Sequence, residues 1–147
     1  MSDSANAALL NYVANHPDVL RFVAPGRQSI DLHAFFNDPQ NVMFGDSRGL
    51  ILFLHQPDHT YQMHWMLTEQ IRGTAALAMA KAAIATMFTN FDCCAITGAT
   101  PRENRAARTM NRALGGIPVG VSIDSQGRHC INYRLERTKW AISSAAS

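Results

Sequence analysis

Between Thr60 and Asn90 the chain changes hydrophobic period once, and that change constrains the fold more than any other feature. Thr60-Tyr-Gln-Met-His-Trp-Met-Leu67 is rich in aromatic and β-compatible residues and predicts a strand. The run from Thr74 to Asn90 is alanine-rich, contains no Gly or Pro, and predicts a helix. Only Thr68-Glu-Gln-Ile-Arg-Gly73 separates them, so a strand, a tight loop and a helix follow in order. If that helix is an ordinary crossover, Asp92-Cys-Cys-Ala-Ile-Thr97 returns as a strand parallel to the first.

Around this unit the pattern is antiparallel. Asn41 to Phe44, Gly49 to His55 and Thr60 to Leu67 are consecutive extended runs with short, turn-rich joints, which predicts a meander. Leu9, Leu10 and Val13 form a helical stripe near the start. Asn15-His16-Pro17-Asp18 interrupts it before Val19 to Val23, and Ser29 is expected to cap a short helix to Phe36. Pro101 to Leu114 predicts a further helix ended by Gly115-Gly116. Val119 to Ile123 and Cys130 to Leu135 then close the chain as a hairpin. The expectation is a mixed α/β (α+β) domain over residues 1–140, with about four helices and one parallel strand pair, and a frayed tail over 141–147.

A chain of 147 residues with 47% hydrophobic and 16% charged residues buries a core without disulfides or structural metal, and no apolar run reaches the roughly 20 residues of a membrane span. The opening residues lack a basic region followed by an apolar stretch, so no secretory signal is expected. Cys93, Cys94 and Cys130 make no disulfide framework and no zinc spacing. They read as buried structural thiols in a reducing, cytoplasmic compartment. A net charge of +2 is too small to argue for nucleic acid as a partner, and none is expected, although eleven of the thirteen basic residues are Arg. Arg102, Arg105, Arg108 and Arg112 recur at helical spacing and read first as a solvated face.

The loop carries the chemistry. The first turn of a helix leaves N–H groups without intrahelical partners, and the macrodipole adds positive charge there, so anions bind. Gly73 removes a side chain, small Ala75 and Ala76 keep the turn accessible, and Arg72 adds a formal charge.

Gln70-x-x-Gly73-x-Ala75 at a helix start, Asn104-x-x-Ala107 opening the next helix, and Gly115 closing it resemble the GNAT superfamily of N-acetyltransferases. The resemblance runs roughly from residue 40 to 135. The brevity of the chain and His16-Pro17-Asp18 look like the small phage-encoded members, for which host cytoplasm or a virion are the settings. The implied activity is transfer of an acetyl group from acetyl-coenzyme A to an amine, with no metal. By resemblance, backbone groups of Met63, Trp65, Met66 and Leu67 would meet the pantetheine arm. The N–H groups from Ile71 through Arg72, Gly73, Thr74 and Ala75 to Ala76 would cradle the pyrophosphate, and Gln70, Asn104, Ala107 and Asn111 would border the cofactor.

Transfer from a thioester requires a neutral amine, so a base is needed. Some members place a glutamate eleven residues before the motif glutamine, where this chain has His59. His64 and Glu69 are the other candidates. Members commonly carry a tyrosine seven residues after the motif asparagine as the acid for the leaving thiolate. Asn111 stands there instead, and it cannot give up a proton at neutral pH. Tyr61 on the cofactor strand is the nearest substitute that the sequence offers. A non-catalytic binding or virion-associated domain is therefore the rival reading, and a homodimer is left open.

Overall fold

The computed structural model describes residues 3–140; the expected tail over 141–147 lies outside them. Four α-helices, α1 (Asp3–Ala14), α2 (Pro17–Val23), α3 (Gly73–Asn90) and α4 (Arg105–Ala113), and a 3-10 helix (His33–Asn37) accompany six strands. These are β1 (Val42–Asp46), β2 (Gly49–Gln56), β3 (Thr60–Leu67), β4 (Ala95–Pro101), β5 (Ile117–Ile123) and β6 (His129–Glu136), in the order β1-β2-β3-β4-β6-β5. The pair β3·β4 is parallel, joined by α3, whereas β1·β2, β4·β6 and β5·β6 are antiparallel. The α/β class expected from the period change is the one observed.

The described residues form two compact units. Residues 3–55 and 64–79 make the first, and residues 56–63 and 80–140 the second, so β3 and α3 each pass from one to the other. In the first unit Leu10, Val13 and Ala14 of α1 and Val19 of α2 bury against Leu50, Leu52 and Met66. Alternate residues of β2 and β3 face one side, which brings these side chains together. In the second unit Ile84 and Met87 of α3, Ile96 of β4, Leu114 after α4 and Tyr133 and Leu135 of β6 are buried.

Three expectations shift in position. No helix starts at Ser29; the 3-10 helix begins at His33 after Leu32, without a side-chain cap. Asn11 of α1 and Asn15 just beyond it hold that stretch out of a helix: Asn15 Oδ1 accepts from Ile30 N–H at 2.7 Å and Asn11 Oδ1 accepts from Leu32 N–H at 2.7 Å. Backbone donors taken by an amide in this way are withdrawn from a helical turn. The strand expected from Asp92 runs from Ala95 to Pro101, so Cys93 and Cys94 precede it. The last helix begins at Arg105 with Asn104 as its N-cap, which leaves Arg102 in the preceding turn and outside the arginine stripe.

Candidate active site

The loop before α3 is built from its buried first residue. Thr68 is 1% exposed; its Oγ1 donates to the Arg48 carbonyl at 2.6 Å and accepts from Gln70 N–H at 3.2 Å. Its own N–H also reaches the Arg48 carbonyl, at 3.0 Å, and its carbonyl accepts from Ile71 N–H at 3.2 Å. Glu69, which is exposed, donates its N–H to the Asp18 carboxylate at 2.9 Å. Ile71 packs down beside Gly49, where a Cβ would stand 2.9 Å from Ile71 Cγ2 and Leu67 Cδ2, so a side chain at 49 would displace the loop.

This anchoring consumes the N–H groups of Glu69, Gln70 and Ile71. The uncommitted donors are those of the first turn of α3, where Gly73, Thr74 and Ala75 are exposed and Ala76 is buried. Gly73 adopts φ +60°, a left-handed conformation that costs other residues about 1–2 kcal/mol, and a Cβ built on it meets nothing within 4 Å. Open space in front of free N–H groups at the positive end of an eighteen-residue helix suits an anion. Arg72 is exposed beside it.

At the other end of β3 the parallel ladder is short: Thr60, Tyr61 and Gln62 face Ala95, Ile96 and Thr97. Beyond it β4 continues through Gly98 to Pro101, paired to β6. A small, solvent-open hollow lies where the ladder stops, lined by Met63, Gly98, Asn111, Leu114, Gly116 and Tyr133 among others. Gly98 helps to make it, since a Cβ there would reach to 3.8 Å from the Met63 carbonyl oxygen and 3.9 Å from Asn111 Oδ1.

The residues selected from sequence fall at distinct places. Asn104 Oδ1 accepts from Ala107 N–H at 3.1 Å, so the Asn104-x-x-Ala107 spacing is a helix cap, with Ala107 itself buried. Asn111 is buried at the wall of the hollow with its amide N–H groups committed: Nδ2 donates to the Ala107 carbonyl at 3.0 Å and to Thr100 Oγ1 at 2.9 Å. The carbonyl can only accept, which fixes the amide orientation. Tyr61 is buried within the ladder opposite Ile96. Met66 lies in the apolar core of the first unit, while Trp65 and Leu67 are half-buried.

His59 occupies the β2–β3 turn, with both Asp58 and His59 in left-handed backbone, and its Nδ1 lies 2.7 Å from Asp92 Oδ2. It precedes Met63 by four strand residues, roughly 13 Å along the strand. His64 directly follows Met63; its side chain reaches solvent, yet the surrounding protein desolvates it and lowers its imidazole pKa below the ordinary value. Such a histidine is neutral at pH 7 and able to accept a proton. Cys93 is held the opposite way, its thiol pushed up to about 11 by burial and then by Cys94, so it is inert.

Two participants escaped the sequence reading. Thr68 was visible inside the motif, but nothing marked it as the anchor. Tyr133 of β6 lies far along the chain from every motif residue, and only strand register brings it to the hollow. Among the described residues no group of three His, Cys, Asp or Glu is placed to hold a metal ion, and no helix is long and apolar enough to cross a membrane.

No protein-family model and no curated protein matches the chain. Solved structures do. A mutant of spermidine N-acetyltransferase SpeG from Vibrio cholerae matches with TM-score 0.75 and 11% identity, over 98% of this chain and 95% of that one. Ribosomal-protein-S5-alanine acetyltransferase from Vibrio fischeri matches with TM-score 0.70 and 17% identity, over 95% and 92%. The mixed six-stranded sheet with a single parallel pair, and the helix that joins that pair, are the fold of the GNAT acetyltransferases.

Proposed function

We propose that the chain is an acetyl-coenzyme A-dependent N-acetyltransferase acting on an amine. The observation that carries this reading is the loop before α3, where left-handed Gly73 fronts open space at the start of an eighteen-residue helix. The first-turn N–H groups and Arg72 would hold phosphates. Backbone groups of β3 from Met63 to Leu67, an extended run of roughly 13 Å, offer an edge to an amide-bearing arm. The bound thioester would supply an already activated acyl group. Of the candidate bases, His64 is neutral through desolvation, whereas His59 is engaged with Asp92 at the far turn.

The acceptor in this reading is an amine of a protein or a small molecule; the two solved relatives are named for spermidine and for a ribosomal protein alanine. Three free cysteines fit a reducing compartment such as the cytoplasm. Residues 1–140 are read as one catalytic domain, because β3 and α3 each belong to both compact units. A phage origin rests on the brevity of the sequence and its His16-Pro17-Asp18 opening alone.

One observation favours a second reading, a non-catalytic domain that keeps the cleft. Asn111 stands where the resemblance expects a tyrosine, and both its amide hydrogens are spent inside α4 and β4. Calorimetric titration with acetyl-coenzyme A, followed by thiol release across a panel of amines, separates the two. Binding with turnover is expected. Binding without turnover on any amine selects the second reading, and absence of binding at millimolar ligand refutes both.

A further inference from the structure

We propose that the Tyr133 hydroxyl recognises the thioester end of the acyl donor, through its carbonyl oxygen or its sulfur. Among the described residues, Tyr133 Oη and Arg108 Nε are the buried side-chain polar atoms without a hydrogen-bond partner. Tyr133 is 2% exposed and lines the hollow at the end of the β3·β4 ladder. A buried hydroxyl without a partner is costly, so an orphan on a residue that lines a hollow marks a place where a ligand completes the bonding.

The described residues offer that hydroxyl no hydrogen bond. The cross-strand neighbours of Tyr133 are Gly98 on β4 and Pro118 on β5, and neither carries a polar side chain. Gly116 lies against its base, 3.5 Å from Tyr133 Cβ measured to an added Cβ. Asn111, on the same hollow, has no amide hydrogen to spare, so it contributes an acceptor at most. Tyr133 is thus the uncommitted buried donor of a hollow whose wall carries apolar Met63, Leu114 and Leu135 beside polar Thr97, Asn111 and Arg134. A neutral buried donor suits a neutral, weakly solvated acceptor, and it also stabilises charge that develops there during acyl transfer. The thioester end has that character, whereas the phosphates belong to the loop before α3. The inference rests on the acetyl-transfer reading above and extends it to a residue outside the motifs.

The test compares wild type with Tyr133→Phe by calorimetry against three ligands: acetyl-coenzyme A, coenzyme A, and desulfo-coenzyme A, which ends in a methyl group. Because only an oxygen is removed from a site without a partner, the unliganded variant is expected to melt at the same temperature or a few degrees higher. Affinity for acetyl-coenzyme A should fall about five- to tenfold, with desulfo-coenzyme A unaffected. An accompanying loss for coenzyme A assigns the bond to sulfur; its absence assigns the bond to the carbonyl. Equal losses for all three ligands, no loss for any, or a marked drop in melting temperature overturn the proposal and leave the acetyl-transfer reading standing. Failure of wild type to bind any of the three overturns both.

Discussion

The loop before α3 and the hollow at the end of the β3·β4 ladder both carry uncommitted hydrogen-bond donors, yet they are built by opposite means. In the loop the donors are backbone N–H groups, aimed by a helix start and exposed by Gly73, and every residue that shapes them lies within ten positions of Thr68 except Arg48, Gly49 and Asp18. In the hollow the donor is one side chain, and its neighbours come from β3, β4, α4 and β6. A site made of backbone needs local geometry and tolerates changes of side chain. A site made of a side chain needs register, and one atom decides it.

The largest effect is expected where backbone geometry itself is broken. Gly73→Trp fills the open space and forces a bulky residue into left-handed backbone, so acetyl-coenzyme A binding should fall more than about a hundredfold while the melting temperature drops only by a few degrees. Retained affinity would place the anion site elsewhere. His64→Gln should lower turnover by about 10²-fold with little change in cofactor affinity, since it removes a base and leaves the loop untouched. In wild type, kcat/KM should rise with pH through a pKa below the usual histidine value of about 6.5, because desolvation opposes the imidazolium. Stability follows the same sign: the unfolded chain binds that proton more tightly, so stability is lost as pH falls below the ordinary histidine pKa. An activity profile in which that acidic limb is identical in His64→Gln would remove His64 from the base role.

Smaller effects sharpen the contrast. Thr68→Val keeps the shape of the anchor but loses its hydroxyl, leaving Gln70 N–H without its bond while the Thr68 backbone N–H still serves Arg48. A destabilisation of about 1–2 kcal/mol with a several-fold loss of cofactor affinity is expected, read from urea unfolding and titration. An unchanged affinity would mean that the loop holds its shape without Thr68. Least consequential is thiol labelling: iodoacetamide should modify Cys94, which is partly exposed, at least about tenfold faster than buried Cys93 or Cys130, both of whose thiols are pushed up by desolvation. Mass spectrometry of tryptic peptides would reveal the reverse order if the packing around Cys93 were loose.

Much of the fold is legible because it is written in local period. Thr60–Leu67 matches the observed β3, and the alanine-rich run became α3 starting one residue earlier, since both depend on propensity and flanking breakers. Ser29 misled because a capping residue acts only if the backbone turns, and Asn11 and Asn15, at the end of α1 and just past it, take the Leu32 and Ile30 N–H groups. Asp92-Cys-Cys reads as strand by its apolar composition, yet pairing with β3 begins at Ala95, and Cys93 is buried ahead of it. The arginine stripe was extended too far because Pro101 looks like a helix start, whereas it ends β4.

Sequence by itself determined the α/β class, the crossover, and a glycine loop at a helix start, since propensity, period and the need for left-handed backbone act over a few residues. Tertiary structure alone decided that Ile71 N–H is spent on Thr68, that the amide of Asn111 is committed, and that Tyr133 stands at the hollow with nothing to bond. Those outcomes depend on which strands pair and in what register. A single shifted residue would turn Tyr133 to the other face of its sheet.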